Sequence, residues 1–410
     1  MSEIFTFRTR TNWESYIEQH PNDYLTIWEL VNYPVPEIIE AYEGGIETPP
    51  SVSNNQSWSK LVDIQKFPYF DAQYIRPMLG PEVYSLKTTL THEKLKEQAK
   101  LAARLYQPIT SEDHFSRYCG HWFSYIINAM MDAVAEPVGV TATITWSQKQ
   151  IPRTGNRRNN LKTDGWMYIK EKDKTDPGSP TETEYDTMDG VKLEHGVTLP
   201  GERALCVVGE NKLARNWTSQ SIRPVLGKGA RGLLSLNKRK FAPLRQIATY
   251  SLWGQTRWNM LFTSDEVIIG RAYKAKETPE GFFIYEDEDM APDDYLGLEI
   301  VPIRWEQSAT PRRLSALEGV LACTLLSLHT RYRRLVSYEE LPPLNRWFSV
   351  QQNDCTYYQH SLTRTITIEK PEGVEPEPRD LLLQDNSNEQ PLKFPTLRSL
   401  TVTLGSKAWK

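Results

Sequence analysis

Ala204-Leu205-Cys206-Val207-Val208-Gly209-Glu210-Asn211-Lys212 is the stretch that decides the fold of this chain. It begins as an apolar run of strand length. Valine, leucine and cysteine in such a run fit a strand buried on both faces of a sheet. Its end breaks the pattern. Residues two apart in a strand point to the same face, so Glu210 and Lys212 stand side by side. Opposite charges there do not belong in a core. They mark the point where the sheet meets something polar.

Upstream lies Thr163-Asp164-Gly165-Trp166, which opens a second predicted strand over 164–169. A neighbouring strand can therefore deliver the Asp164 carboxylate to Glu210 and Lys212. Two carboxylates beside an ammonium can hold a hard divalent cation, and oxygen ligands suit Mg²⁺. Cation and lysine together lower the cost of a hydroxide and of a pentacovalent phosphate. Downstream, 243–260 reads as a helix. Leu244, Ile247, Ala248, Ser251 and Leu252 turn to the sheet, and Gln246 sits four residues before Tyr250. Leu261-Phe262-Thr263 and Val267-Ile268-Ile269 follow as two short strands around a polar turn.

An aspartate, a hydrophobic strand ending Glu-x-Lys, a helix carrying Gln and a further strand resemble the PD-(D/E)XK nuclease superfamily. The likeness is closest to the nuclease-like domains of uncharacterised fungal proteins, and it covers roughly residues 110 to 305. It implies an α/β (α+β) fold: a central mixed β-sheet flanked by helices, a restriction-endonuclease-like core with N- and C-terminal extensions. It also implies that Asp164 and Glu210 bind Mg²⁺ or Mn²⁺, with the carbonyl of Asn211 completing the set. Lys212 would position or activate water, and Gln246 would orient that water or bind phosphate. Two departures stand out. Thr163 replaces the proline that often precedes the aspartate, and the gap from Asp164 to Glu210 requires an insertion. Some members carry a metal-binding glutamate on the helix before the sheet. Glu112 is the match here, although a first-turn acid that favours the helix N-terminus is the simpler reading.

The 410 residues carry a net charge of −4, so the chain as a whole is not a basic nucleic-acid binder. The charge is unevenly spread. Between Glu210 and Asp265 there is no acidic residue, but there are ten basic ones. Arg215, Arg223, Lys228, Arg231, Lys238, Arg239, Lys240 and Arg245 are the candidate phosphate-backbone contacts among them. The expected partner is nucleic acid, DNA before RNA. The other reading of this segment is a solvated loop paired with the acid-rich insertion at 171–202.

The 12 Trp and 20 Tyr argue against wholesale disorder. Cys119, Cys206, Cys323 and Cys355 form no Cys-x-x-Cys, which speaks against zinc and fits a reducing compartment. No leader pattern and no run of eighteen apolar residues is seen, so the expected place is nucleus or cytoplasm, with no membrane partner.

The expected layout is an extension over 1–90, mostly irregular and tied down by aromatics, a core over 91–305, and a C-terminal extension over 306–410. In the first, 12–18 reads as a short helix and 48–59 as a linker. In the core, 92–107 and a helix starting at Ser111 precede a strand over 140–146, a basic turn at 155–160, and later strands at 282–285 and 296–305. Pro302 suggests that the last of these is an edge. The longest predicted helix runs 311–336, its end carrying Arg331, Arg333 and Arg334. Strands at 362–368 and 400–404 close the chain. No Gly-x-Ser-x-Gly or His-Glu-x-x-His occurs, so other hydrolase chemistries have no support. The alternative is a nuclease-like fold without turnover, kept for nucleic-acid binding or protein interaction.

Overall fold

The computed structural model describes residues 5–41, 58–135, 140–145, 150–151, 161–162, 165–171, 192–193, 196–199, 203–226, 238–275, 295–327, 333–341, 343–352, 355–361, 366–371 and 374–379. Helix α1 (Arg10–Gln19) starts where Thr9 accepts from the Asn12 N–H, and covers the predicted short helix. Strand β1 (Tyr24–Thr26) leads into α2 (Ile27–Val31), closed by a capping box between Thr26 and Glu29. Next come β2 (Lys60–Lys66), α3 (Ala72–Leu79), α4 (Pro81–Ser85) and β3 (Lys87–Thr91). This stretch is more regular than expected. Asp71 accepts from two backbone N–H groups of α3, and Pro81 sits in the first turn of α4, where its missing N–H costs nothing.

Helix α5 (His92–Tyr106) is capped by Thr91 and α6 (Glu112–His121) by Ser111, both as the sequence indicates. The chain turns at Trp122 before α7 (Phe123–Ala135), so one predicted apolar helix face is shared by two helices. Strands β4 (Val140–Thr145), β5 (Gln150–Ile151), β6 (Leu161–Lys162) and β7 (Gly165–Glu171) follow. Then come β8 (Lys192–Leu193), β9 (Gly196–Leu199) and β10 (Arg203–Lys212). Helix α8 (Lys238–Trp253) precedes β11 (Trp258–Thr263), β12 (Glu266–Lys274) and β13 (Tyr295–Arg304). After α9 (Ala316–Ser327), strands β14 (Trp347–Gln352), β15 (Cys355–His360), β16 (Ile366–Thr367) and β17 (Glu377–Arg379) form a small separate sheet.

The fold is mixed α/β. Its main sheet runs β2-β13-β12-β11-β10-β7-β4, with β9 also paired to β10. Strands β4, β7 and β10 are successively antiparallel, β11 returns parallel to β10, and β12 and β13 alternate again. Both faces are covered. Leu205, Val208, Leu261, Ile268 and Leu298 pack under Leu244, Ile247 and Ala248 of α8. Val207, Met260, Phe262 and Ile269 pack under Phe123, Ile127, Leu317 and Leu321 of α7 and α9. This double coverage is the physical reason β10 reads as an unbroken apolar run.

Several sequence expectations need correction. The first ninety residues are not only a flank: β2 is an edge strand of the main sheet, parallel to β13. Strand β13 is therefore internal along Tyr295–Ile300, and Pro302 lies beyond the end of β2, where no strand asks for its N–H. The described part of helix α8 runs from Lys238, so Pro243 lies inside it, and it ends at Trp253; Trp258–Met260 belong to β11. Helix α9 starts at Ala316 rather than at 311, and its described part runs to Ser327. Ser315 sets its start by accepting from the Glu318 N–H, and it is buried all round rather than along one stripe. Arg333 is buried with its carbonyl accepting from Arg257, so it is no surface cation at a helix end. Arg331, the turn at 155–160, the strands at 282–285 and 400–404, and most of 171–202 lie outside the described residues. Among the described residues no helix is long and apolar enough to cross a membrane.

His92, the first residue of α5, is fully buried among the rings of Trp13, Tyr16 and Tyr33, and its ring nitrogens find no hydrogen-bond partner among the described residues. Burial lowers its pKa below the usual histidine value. The folded state therefore binds fewer protons than the unfolded chain once the pH drops below about 6.5. Stability is full above that pH and is lost as pH falls toward the folded pKa. Urea midpoints measured between pH 8 and 5 are expected to fall on the acid side, and His92→Phe is expected to flatten that limb. An unchanged acid limb in the variant counts against this assignment.

Candidate functional site

The site lies at the C-terminal end of β10. Pairing with β7 runs as far as Gly209 opposite Gly165, and the two glycines let the backbones close up. A Cβ on Gly209 would sit 3.2 Å from the Gly165 carbonyl oxygen. Past this point, among the described residues, β10 pairs with β11, from Glu210↔Leu261 to Lys212↔Thr263. Asp164 lies outside the described residues. Its sequence neighbour Gly165 is thus paired with Gly209, the residue before Glu210.

Glu210 and Lys212 share a face, as strand alternation requires, and the Lys212 Nζ donates to Glu210 Oε1 at 2.7 Å. Gln246, a little over two turns past Lys238 on the neighbouring helix α8, donates from Nε2 to the same oxygen at 2.8 Å. The same Nε2 lies 2.6 Å from the hydroxyl of Tyr250, one turn further along α8. Glu112 reaches in from the first turn of α6, and its Oε2 accepts from Lys212 Nζ at 3.2 Å. Asn216 donates to Glu112 Oε1 at 3.4 Å. Glu112 thus does more than favour a helix terminus: it is part of the cluster. The ammonium stands between two carboxylates, with Glu210 buried, Lys212 partly buried and Glu112 open to solvent on one side.

Asn211 faces the other way. Its side chain is buried and donates to Ser116 on α6 at 2.9 Å, tying strand to helix. Only its main-chain carbonyl remains relevant to a cation. The described donors are oxygens without nearby histidine or cysteine, a set that fits Mg²⁺ or Mn²⁺ rather than a softer metal. Among the described residues no cluster of three His, Cys, Asp or Glu groups is placed to hold a metal. A complete cation site therefore needs Asp164 beside Glu210.

The chain after β10 is clamped to the sheet. The Ala214 N–H donates to Glu40 Oε1 and Ser264 Oγ, and Ser264 also donates to Glu40. Trp217 Nε1 donates to the Lys240 carbonyl at 2.5 Å, and Glu266 accepts from both the N–H and the hydroxyl of Ser219. Sequence reasoning missed Glu40 and Glu266. No local signal links Glu40 to a loop 174 residues away.

The basic stretch divides. Arg223 and Lys240 are exposed. Arg215 is exposed but already donates to the carbonyls of Ala41 and Thr110. Arg245 requires correction: it is buried on α8, donating to the carbonyls of Ser59 and Trp58, and does not face a nucleic-acid ligand. Lys228 and Arg231 lie outside the described residues. Lys238 and Arg239 open α8, and their side chains are likewise outside the description. None of the family models, curated proteins or solved structures compared with the chain matches it.

Proposed function

We propose that this protein is a metal-dependent nuclease of the PD-(D/E)XK type that hydrolyses phosphodiester bonds, DNA before RNA. The observation that carries the reading is the convergence of Glu112, Glu210, Lys212 and Gln246, the first and last 134 positions apart in the sequence, on one strand end. Supporting it, three antiparallel strands (β4, β7 and β10), then α8, then β11 parallel to β10, follow the succession that a restriction-endonuclease-like core implies.

In this reading Glu210 and Asp164, with the Asn211 carbonyl, hold Mg²⁺ or Mn²⁺, which supplies Lewis-acid stabilisation of charge developing on the phosphate. Lys212 stands where its ammonium can leave the carboxylate pair and meet a substrate oxygen. Gln246 keeps the Glu210 carboxylate oriented. Exposed Arg223 and Lys240, with Arg215 at its edge, give the backbone a cationic approach whose contribution falls with salt.

The test is incubation of the full chain with single- and double-stranded DNA and with RNA, each with Mg²⁺, Mn²⁺ or chelator. Cleavage that requires the cation and is lost on Asp164→Ala supports the reading. Cation-independent cleavage, or cleavage untouched by that substitution, sinks it. Binding without cleavage moves the assignment to a nuclease-like binding module.

A further inference from the structure

We infer that Arg245 is a positioning residue for this site: its guanidinium, held by the carbonyls of Trp58 and Ser59, fixes the rotation of α8 that delivers the Gln246 amide to Glu210. The inference rests on the nuclease reading for its consequence in turnover, but not for its geometry.

The apolar contacts of α8 do not fix its rotation by themselves. Leu244, Ile247 and Ala248 meet a broad aliphatic surface from β10 to β13, and dispersion contacts of this kind are individually weak and non-directional. Directed bonds come from the next face. Arg245 Nε donates to Ser59 O at 2.8 Å and its Nη2 to Trp58 O at 2.6 Å. The Ser59 N–H donates back to Thr249 Oγ1 at 3.0 Å, and that hydroxyl donates to the Arg245 carbonyl at 2.8 Å. Arg245, Thr249, Trp58 and Ser59 are all buried. Strand β2 begins at the next residue, so the clasp ties α8 to the edge of the sheet furthest along from β10.

Gln246 is the adjacent residue on the helix, so any rotation released at Arg245 is transmitted to it directly. At the roughly 5–6 Å radius of a helix with its side chains, a turn of about 15° moves a side-chain tip by about 1.5 Å. That displacement breaks a 2.8 Å bond. Lysine cannot replace the clasp, because it lacks the rigid fork that meets two carbonyls at once.

Two variants test this on the full chain. Arg245→Lys keeps the charge but not the fork, and Thr249→Val removes the second tie with almost no change of volume. Each is made alone and in a Gln246→Ala background. Each is expected to lower kcat for Mg²⁺-dependent cleavage of a DNA oligonucleotide about 10-fold, with KM unchanged. In the Gln246→Ala background the same changes are expected to cost less than about twofold, because the residue they act through is gone. The side-chain amide resonance of Gln246, in protein labelled with ¹⁵N-glutamine and assigned by its loss in Gln246→Ala, is expected to shift in both variants. An equal fall in kcat in both backgrounds, or an unmoved resonance, overturns the inference. Wild type that does not cleave at all overturns the nuclease reading instead, and the resonance still decides the positioning. Should Arg245→Lys fail to fold, Thr249→Val carries the same test.

Discussion

Lys212→Met is expected to lower the single-turnover rate of phosphodiester cleavage at least about 100-fold, the usual loss when one preorganised donor to a developing charge is removed. The ammonium lies 2.7 Å from Glu210 Oε1 and 3.2 Å from Glu112 Oε2. Methionine keeps an apolar stem of similar length, so packing along the side chain survives. What disappears is the positive charge between two carboxylates. The effect on cation affinity is expected to have the opposite sign, because a competitor for the carboxylates is gone and Mg²⁺ or Mn²⁺ meets more negative charge. In the proposed reading nucleic-acid binding rests on other, exposed cations, and it is expected to change little. Rates, Mn²⁺ titration and oligonucleotide binding measured on one preparation separate these effects. A variant that cleaves like wild type removes Lys212 from the chemistry and with it the proposed function. Because Glu210 is buried, urea unfolding must accompany the rates, so that lost turnover is not mistaken for lost fold.

Glu318→Ala is expected to produce the largest loss of stability, about 3–5 kcal/mol, the usual consequence of breaking a buried ion pair from one side. Arg76 on α3 meets Glu318 on α9 through a two-pronged contact, Nε to Oε1 at 2.7 Å and Nη2 to Oε2 at 2.8 Å. Two further N–H groups donate to the carbonyls of Thr310 and Arg313. Glu318 is fully buried and Arg76 nearly so. Removing the carboxylate leaves a guanidinium with carbonyl partners but no counter-charge, and it also removes an acceptor for the Ser315 N–H at the start of α9. Burial, which the substitution leaves in place, pushes the Tyr84 hydroxyl well up, so that tyrosine does not compensate by ionising. Replacing both partners by apolar residues, Arg76→Met with Glu318→Leu, is expected to recover much of the loss, because no unpaired charge remains. Chemical denaturation of the two single variants and the double variant measures this coupling. A Glu318→Ala protein as stable as wild type shows that the pair contributes no net stability.

Much of the candidate site was legible because strand and helix periodicities are short-range rules. The face shared by Glu210 and Lys212 follows from alternation alone. Gln246 and Tyr250, four apart on a helix, had to lie on one side of it. The caps at Thr91 and Ser111 were equally local, since a hydroxyl before a helix meets donors only two or three residues away. Arg245 was misread for the same reason. A cation in a stretch without acids looks like a phosphate contact, and nothing within ten residues announces that it will be consumed by two carbonyls 186 and 187 residues upstream. The start of the helix predicted over 311–336 was misplaced because a segment apolar all round carries no amphipathic period to mark it, and Ser315 and Glu318 set it instead.

By itself the sequence determined the buried strand that ends in charge, the helix that follows it and the shared faces of Glu210 with Lys212 and of Gln246 with Tyr250, because these depend on bond geometry repeated every two or 3.6 residues. Only the tertiary structure decided that Glu112 joins the cluster, that the N-terminal segment supplies a strand and a clasp, and which arginines meet solvent. Those outcomes rest on contacts between residues a hundred or more positions apart, whose partners are chosen by how sheet and helices pack and by the need to satisfy every buried donor.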